Sequence, residues 1–202
     1  MLKAILFDMD GTITRPNIDW KDLRARVGVP EGVPIMAHID SLPRAEAETA
    51  EGVVREVEYE AARTAEASPG VCELFEYLDQ QPLDLVLVTN NHRRAMHHIV
   101  DKLGLNFRFM LSREDATLKP APDLMILALG KLGLDPSEVV CVGDGHYDAS
   151  ASAAAGIRYI HLSPDRSAPV EGPTIGSLGE LLQYLEPGVG DDLPQPRHLP
   201  SS

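Results

Sequence analysis

Leu2–Thr14 reads LKAILFDMDGTIT, and the rest of the chain takes its meaning from this stretch. Ala4-Ile5-Leu6-Phe7 is a short apolar run rich in Ile, Leu and Phe, the composition of a strand buried on both faces. Charge begins where the run stops, so Asp8 and Asp10 fall at the strand's carboxyl end. In extended backbone, residues two apart point to the same side, which would bring both carboxylates to one place. Gly11 follows, free to adopt the backbone angles that turn the chain away. Alone, a DxDG of this kind is equally a strand followed by an acidic turn.

At 202 residues the chain can bury a substantial core, as one domain or as a domain carrying a small insertion. Hydrophobic residues make up 44% and charged residues 24%, ordinary for a globular protein. No segment offers the roughly 18 to 20 consecutive apolar residues of a membrane span. The first strand follows the N-terminus without a basic region and cleavable apolar stretch, so no secretory signal is expected. Cys72 and Cys141 stand far apart without metal spacing, and Cys141, inside the apolar run VVCVG, reads as a buried reduced thiol. The expected compartment is the cytoplasm. A formal charge of −13 argues against nucleic acid or an anionic membrane as the main partner. It also means that any anionic substrate needs positive charge gathered locally.

Beyond Thr14, Arg15-Pro16-Asn17 breaks the pattern, and Ile18–Val27 then has apolar spacing for a short helix. Gly28–Pro34 reads as a loop and Asp40–Pro43 as a turn. Arg44–Ala67, dense in Ala, Glu and Arg, predicts one long helix whose alternating charges form a solvated face. Residues 16–67 therefore read as a small helical insertion. From Val71 onward, strands and helices alternate: helix Val71–Gln80, strand Asp84–Thr89, helix His92–Leu103 ending at Gly104, and strand Phe107–Leu111. Helix Asp123–Leu132 follows, ending at Gly133, then strand Val139–Gly143, helix Ser150–Ala155, strand Ile157–Leu162 and helix Ser177–Leu185. Such alternation predicts an α/β fold, a Rossmann-like parallel sheet with helices on both faces. The expected core is 1–15 with 68–186, and 187–202, rich in Pro and poor in apolar residues, reads as a mobile tail.

Ligands of open parallel sheets bind at the carboxyl ends of the strands. Three strands here end in Asp8, Thr89 and Asp144, and Lys119 precedes a helix on the same edge. Each is commonplace alone; a strand-end Thr is usually a structural hydroxyl and a lone Lys usually solvated. Their convergence is what carries information.

Together DMDGT at Asp8–Thr12, Thr89, Lys119-Pro120 and GDGHYD at Gly143–Asp148 resemble the haloacid dehalogenase superfamily. The resemblance is to its magnesium-dependent phosphatases with a short helical cap, the phosphoglycolate phosphatase-like group. It implies that Asp8 is the nucleophile, forming an aspartyl-phosphate, and that Asp10 protonates the leaving oxygen and later activates water. Gly11 and Asn90 would be substrate-binding positions, with Thr89 and backbone N–H groups near Asn90 on phosphoryl oxygens. Lys119 would stabilise charge on Asp8 and the phosphoryl group. Mg²⁺ would be held by Asp8, the backbone carbonyl of Asp10, and Asp144, with Asp148 supporting its water shell. The chemistry is coherent, because a carboxylate approaches a phosphate dianion only if cations offset the repulsion, and Mg²⁺ suits an all-oxygen donor set.

The implied partner is a small-molecule phosphate ester. Asp10 argues against carbon–halogen hydrolysis, since the metal-free members lack a carboxylate there. Phosphonate cleavage would need a Schiff-base lysine in the insertion, where Lys21 is the only lysine. Gly145 stands where many relatives carry a small hydroxyl residue. His146 and Tyr147 read as rim residues, while Arg15, His92, Arg93 and Arg94 are candidates for substrate selection. Two alternatives stay open: a phosphomutase of the same fold, and a non-catalytic phosphometabolite-binding or interaction protein.

Overall fold

β1 (Ala4–Phe7) lies near the centre of a parallel sheet, in a computed structural model that describes residues 1–166 and 172–185. The tail expected at 187–202 lies outside the described residues. All four β1 side chains are fully buried, each large one contributing roughly 1.5–3 kcal/mol of burial. Its partners are β2 (Asp84–Val88) on one side and β4 (Val139–Gly143) on the other. β3 (Phe109–Leu111), β5 (Arg158–Leu162) and β6 (Thr174–Ile175) complete the order β3-β2-β1-β4-β5-β6. Every pairing is parallel. Phe7 is in register with both Leu87 and Val142. The three central strands therefore finish level, and Asp8, Thr89 and Asp144 emerge along one edge.

Alternation along the strands builds a layer on each face. Ile5, Phe7, Leu87 and Val142 pack with α4 (Val71–Leu78), α5 (Arg93–Leu103) and a 3₁₀ segment, Leu178–Tyr184. Ala4, Leu6, Val88 and Cys141 pack on the opposite face with α6 (Asp123–Leu132) and α7 (His146–Ala154). This is the α/β arrangement expected from the sequence. Cys141 is fully buried and its surroundings push the thiol up to about 12, whereas Cys72 is exposed.

Between β1 and α4 lie three helices: α1 (Trp20–Arg26), α2 (Ile35–Asp40) and α3 (Arg44–Thr64). They share a small apolar core of Leu23, Val27, Ile39, Ala50 and Val54. Lys102 of α5 ties the end of α3 down by donating to the Arg63 and Ala65 carbonyls, both at 2.8 Å. Arg94, also on α5, lies 4.3 Å over the Tyr59 ring. Among the described residues, no helix is long and apolar enough to cross a membrane.

Several expectations need correction. α2 has no signal in the sequence, because Pro34 starts it without a capping side chain and it spans only 6 residues. α7 begins at His146 rather than Ser150, again behind a residue, Gly145, that has no side chain to announce a cap. The last segment is 3₁₀ rather than α, and the two-residue β6 before it carried no periodic signal. Within α3 the charged face is not wholly solvated, since Glu58 joins Ala50, Val54 and Ala62 on the buried stripe.

Candidate active site

Lys119 is the hub of the strand edge. Its buried ammonium donates to Asp8 Oδ1 at 2.5 Å, to Asp148 Oδ1 at 2.6 Å and to the Val88 carbonyl at 2.9 Å. One donor proton goes to each acceptor, so the side chain is fully satisfied and fixed. The Asn90 carboxamide positions the lysine's backbone from both sides, accepting from the Lys119 N–H at 2.9 Å and donating to its carbonyl at 2.8 Å. Thr89 is wholly buried, and its hydroxyl accepts from the Asn91 N–H at 3.0 Å. Asp10 points its carboxylate to the Asn91 amide, 3.1 Å away. Asp8, Asp10, Thr89, Asn90 and Lys119 thus meet at one place, though Asn90 spends its side chain on the Lys119 loop.

Carboxylate oxygens of Asp8, Asp144 and Asp148 lie within 4.8 Å of one another. Gly11 permits this closeness: at φ +85° a Cβ there would stand 2.0 Å from Asp144 Oδ2. A Cβ on Gly143 would likewise come within 2.6 Å of the Asp148 side chain. The Tyr159 hydroxyl donates to the Gly143 carbonyl at 2.7 Å, bracing the loop that carries Asp144.

Electrostatically the floor is overloaded with negative charge. Burial holds the Asp8 carboxyl well above its ordinary range, with Asp148 adding to the rise and Lys119 opposing it. Asp10 is raised chiefly by burial, against the hydrogen bond from Asn91. Asp144 keeps an exposed edge, yet the surrounding protein and then Asp148 push it up to about 6. For Lys119, burial alone would lower the ammonium's pKa, but Asp148 and Asp8 outweigh it and hold the group charged. Four carboxylates therefore share one ammonium. An all-oxygen cluster with surplus negative charge fits a hard divalent cation such as Mg²⁺.

Above the floor is a cavity of about 840 Å³. One wall is formed by α1–α3 and the residues that lead into them, and includes Trp20, Ile35, Met36 and Val54. His146 and Tyr147 line it as rim residues. Arg15, His92, Arg93 and Arg94 do not line this cavity. His92 instead caps α5, its Nδ1 accepting from the Ala95 N–H, while Arg93 pairs with Asp115 at 2.8 Å. The arginines that do line it are Arg24 and Arg113, neither of which the sequence singled out. Arg113 makes a buried 2.6 Å ion pair with Glu58 of α3, tying that helix to the loop after β3. Burial pushes the Glu58 carboxyl up to about 7 despite the pull of Arg113. Asn91 was also missed as a partner of Asp10. Its only sequence signal was its place in the strand-end turn.

A family model for haloacid dehalogenase-like hydrolases matches residues 2–156. The chain belongs to this family. A haloacid dehalogenase-like hydrolase domain-containing protein of Arabidopsis thaliana is 28% identical over 158 residues, covering 73% of this chain. The chain spans 64% of that relative's length. Phosphoglycolate phosphatase 1 of Pseudomonas aeruginosa is 25% identical, with 98% of this chain and 85% of the relative covered. The crystal structure of a hydrolase from Pseudomonas syringae superposes with a TM-score of 0.76 at 21% identity, covering 91% of this chain and 97% of that one. At that identity the superposition speaks for the fold.

Proposed function

We propose that this hydrolase is a Mg²⁺-dependent phosphatase that cleaves a small phosphorylated metabolite through an aspartyl-phosphate on Asp8. Residues 1–15 and 68–186 form its catalytic core and 16–67 its cap. The observation that carries the reading is the Lys119 ammonium held between Asp8 and Asp148, with Asp144 close by, at the carboxyl edge of the sheet. The relatives named as phosphoglycolate phosphatases support a phosphate monoester as the substrate class.

Asp8 Oδ attacks phosphorus, forming an acyl-phosphate bond as the ester's P–O bond breaks. Asp10, whose raised pKa suits it to carrying a proton, donates that proton to the departing alcohol. The resulting Asp10 carboxylate then takes a proton from water as the water attacks phosphorus and releases Asp8. Lys119 balances the charge accumulating on Asp8 and the phosphoryl oxygens. The Thr89 hydroxyl, Gly11 and backbone N–H groups near Asn90 orient those oxygens. Asp8, Asp144 and the Asp10 carbonyl would hold Mg²⁺, with Asp148 beside them, and the bound ion supplies positive charge against the phosphate dianion. We place the enzyme in the cytoplasm, in keeping with two free cysteines and no span-forming helix among the described residues.

The test is phosphate release from a panel of phosphorylated metabolites, with Mg²⁺ and with EDTA, for the wild type and Asp8→Asn. Metal-dependent release lost in Asp8→Asn is the expected result. Release that survives Asp8→Asn overturns the nucleophile assignment. A requirement for a sugar bisphosphate would instead identify a mutase.

A further inference from the structure

We infer that the substrate is a phosphate monoester whose alcohol carries an aromatic or heteroaromatic ring, seated against Trp20. The inference rests on the phosphatase reading for its phosphate half. Its other half comes from the apolar wall of the same cavity. The cavity, at about 840 Å³, lies toward the upper end of the ~300–1,000 Å³ range in which pockets bury drug-sized molecules. A two-carbon phosphate ester, at roughly a water's share of 30 Å³ per heavy atom, fills about a third of it.

The cations along that cavity are already committed. Lys119 is bound to Asp8, Asp148 and Val88 on the floor. Arg24 donates to the Pro30 carbonyl and, at 2.8 Å, to the Val33 carbonyl. Arg113 is paired with Glu58. No guanidinium lining this cavity is left to receive a carboxylate on the substrate without first giving up an internal partner; Arg15, at the small neighbouring pocket, is turned to the Ala67 carbonyl at 3.4 Å and to Glu66 at 3.9 Å. What the wall offers is apolar surface. Among the described residues, the exposed large apolar side chains are Met1, Trp20, Tyr77 and Ile126, and Trp20 alone of these lines the cavity. It is 48% exposed, an open indole beside the insertion's Ile35 and Met36. It also lines the small neighbouring pocket with Asp10, Gly11 and Asp144, so it borders the acidic floor. A flat ring esterified to the bound phosphate would cover this indole by offset or edge contact.

Trp20 is the chain's single tryptophan, so its fluorescence reports this contact directly. The protein is titrated, at saturating Mg²⁺, with benzylphosphonate and with phosphonoacetate, neither of which can be hydrolysed at an ester bond. In parallel, kcat/KM is measured for benzyl phosphate and 2-phosphoglycolate in the wild type, Trp20→Ala and Trp20→Phe. The expected result is a fluorescence change with benzylphosphonate and little with phosphonoacetate. A preference of about tenfold or more for benzyl phosphate should accompany it. Trp20→Ala should lower kcat/KM for benzyl phosphate about tenfold more than for phosphoglycolate, mainly through KM, and Trp20→Phe should recover most of that difference. Preference for phosphoglycolate, or equal losses on both esters, overturns the inference. If neither ester is hydrolysed, the phosphatase reading fails separately. The fluorescence titration still decides, because a ring-selective response upholds the Trp20 contact and its absence removes it.

Discussion

The floor of the cavity and its far wall are held in place by different physics. On the floor, Asp8, Lys119 and Asp148 are buried and joined by bonds of 2.5 and 2.6 Å, with Asn90 and Asn91 fixing the lysine loop and Asp10. The wall has Ile35, Met36 and Val54, which share an apolar cluster, and Trp20, whose only polar group is its indole N–H. A charged network in a low-dielectric site admits almost no replacement, because removing one member strands the others. Apolar packing tolerates exchange of similar volume at modest cost. On the proposed function, chemistry is therefore fixed in the floor, while selectivity can drift in the wall.

Removing the hub should break the floor most completely. Lys119→Met leaves Asp8 and Asp148 facing each other without their ammonium, and kcat should fall by roughly 10²–10³-fold, as when a preorganised charge donor is deleted. A Lys119→Met enzyme within a few-fold of wild type would mean that the floor is not a coupled unit. Gly11→Ala attacks the same region through shape alone. Its Cβ overlaps Asp144 Oδ2 and its φ of +85° is strained, so the carboxylate must move. A displacement on the ångström scale costs activity by about 10²-fold. The Mg²⁺ concentration for half-maximal activity should rise as well, and a metal titration of the variant checks it.

The pair between floor and wall gives a smaller, pH-dependent effect. Glu58 has an ordinary pKa of 4.5 and is raised to about 7 in the fold. The folded form thus holds the proton more tightly than the unfolded chain. The stability this group contributes is full below about 4.5 and is lost as pH rises through 7, on the order of 3 kcal/mol across the window. Wild-type Tm should therefore decline across this window more steeply than that of Glu58→Gln, whatever the variant's absolute Tm. Parallel slopes in thermal melts would show that Glu58 is not buried as an acid. The smallest expected effect lies away from the site: a thiol reagent should label Cys72 alone in the native protein and Cys141 only after denaturation.

How much of this was legible in the sequence follows the same division. β1, β2 and β4 are apolar runs that stop at Asp8, Thr89 and Asp144, so periodicity and charge revealed both the sheet and the edge where these residues gather. Lys119 became visible only beside those residues. The wall was harder. α2 is too short for a periodic signal, and Glu58 looks like any other acid in a run of Glu and Arg until Arg113, 55 residues away, is seen to meet it. Trp20 sits at the start of a short helix, where nothing local distinguishes a cavity-lining indole from a solvent-facing one. Asn91 and Tyr159 act on backbone and carboxylates through distant contacts, for which local pattern has no equivalent.

The central position of β1 has a consequence for how the chain comes to exist. Asp8 meets Lys119 across 111 residues, and Asp10 meets Asn91 across 81. β1 leaves the ribosome before both of its flanking strands, which begin only at Asp84 and Val139. Until both arrive, a fully apolar strand has two open edges, a template for pairing with other chains. Non-local closure of this kind is slow, and no contiguous fragment shorter than the span from Asp8 to Asp148 contains the complete floor. Partly made protein thus carries the hazard of aggregation without an assembled floor. During refolding, the return of phosphatase activity would time the closing of the central sheet rather than the earlier formation of helices.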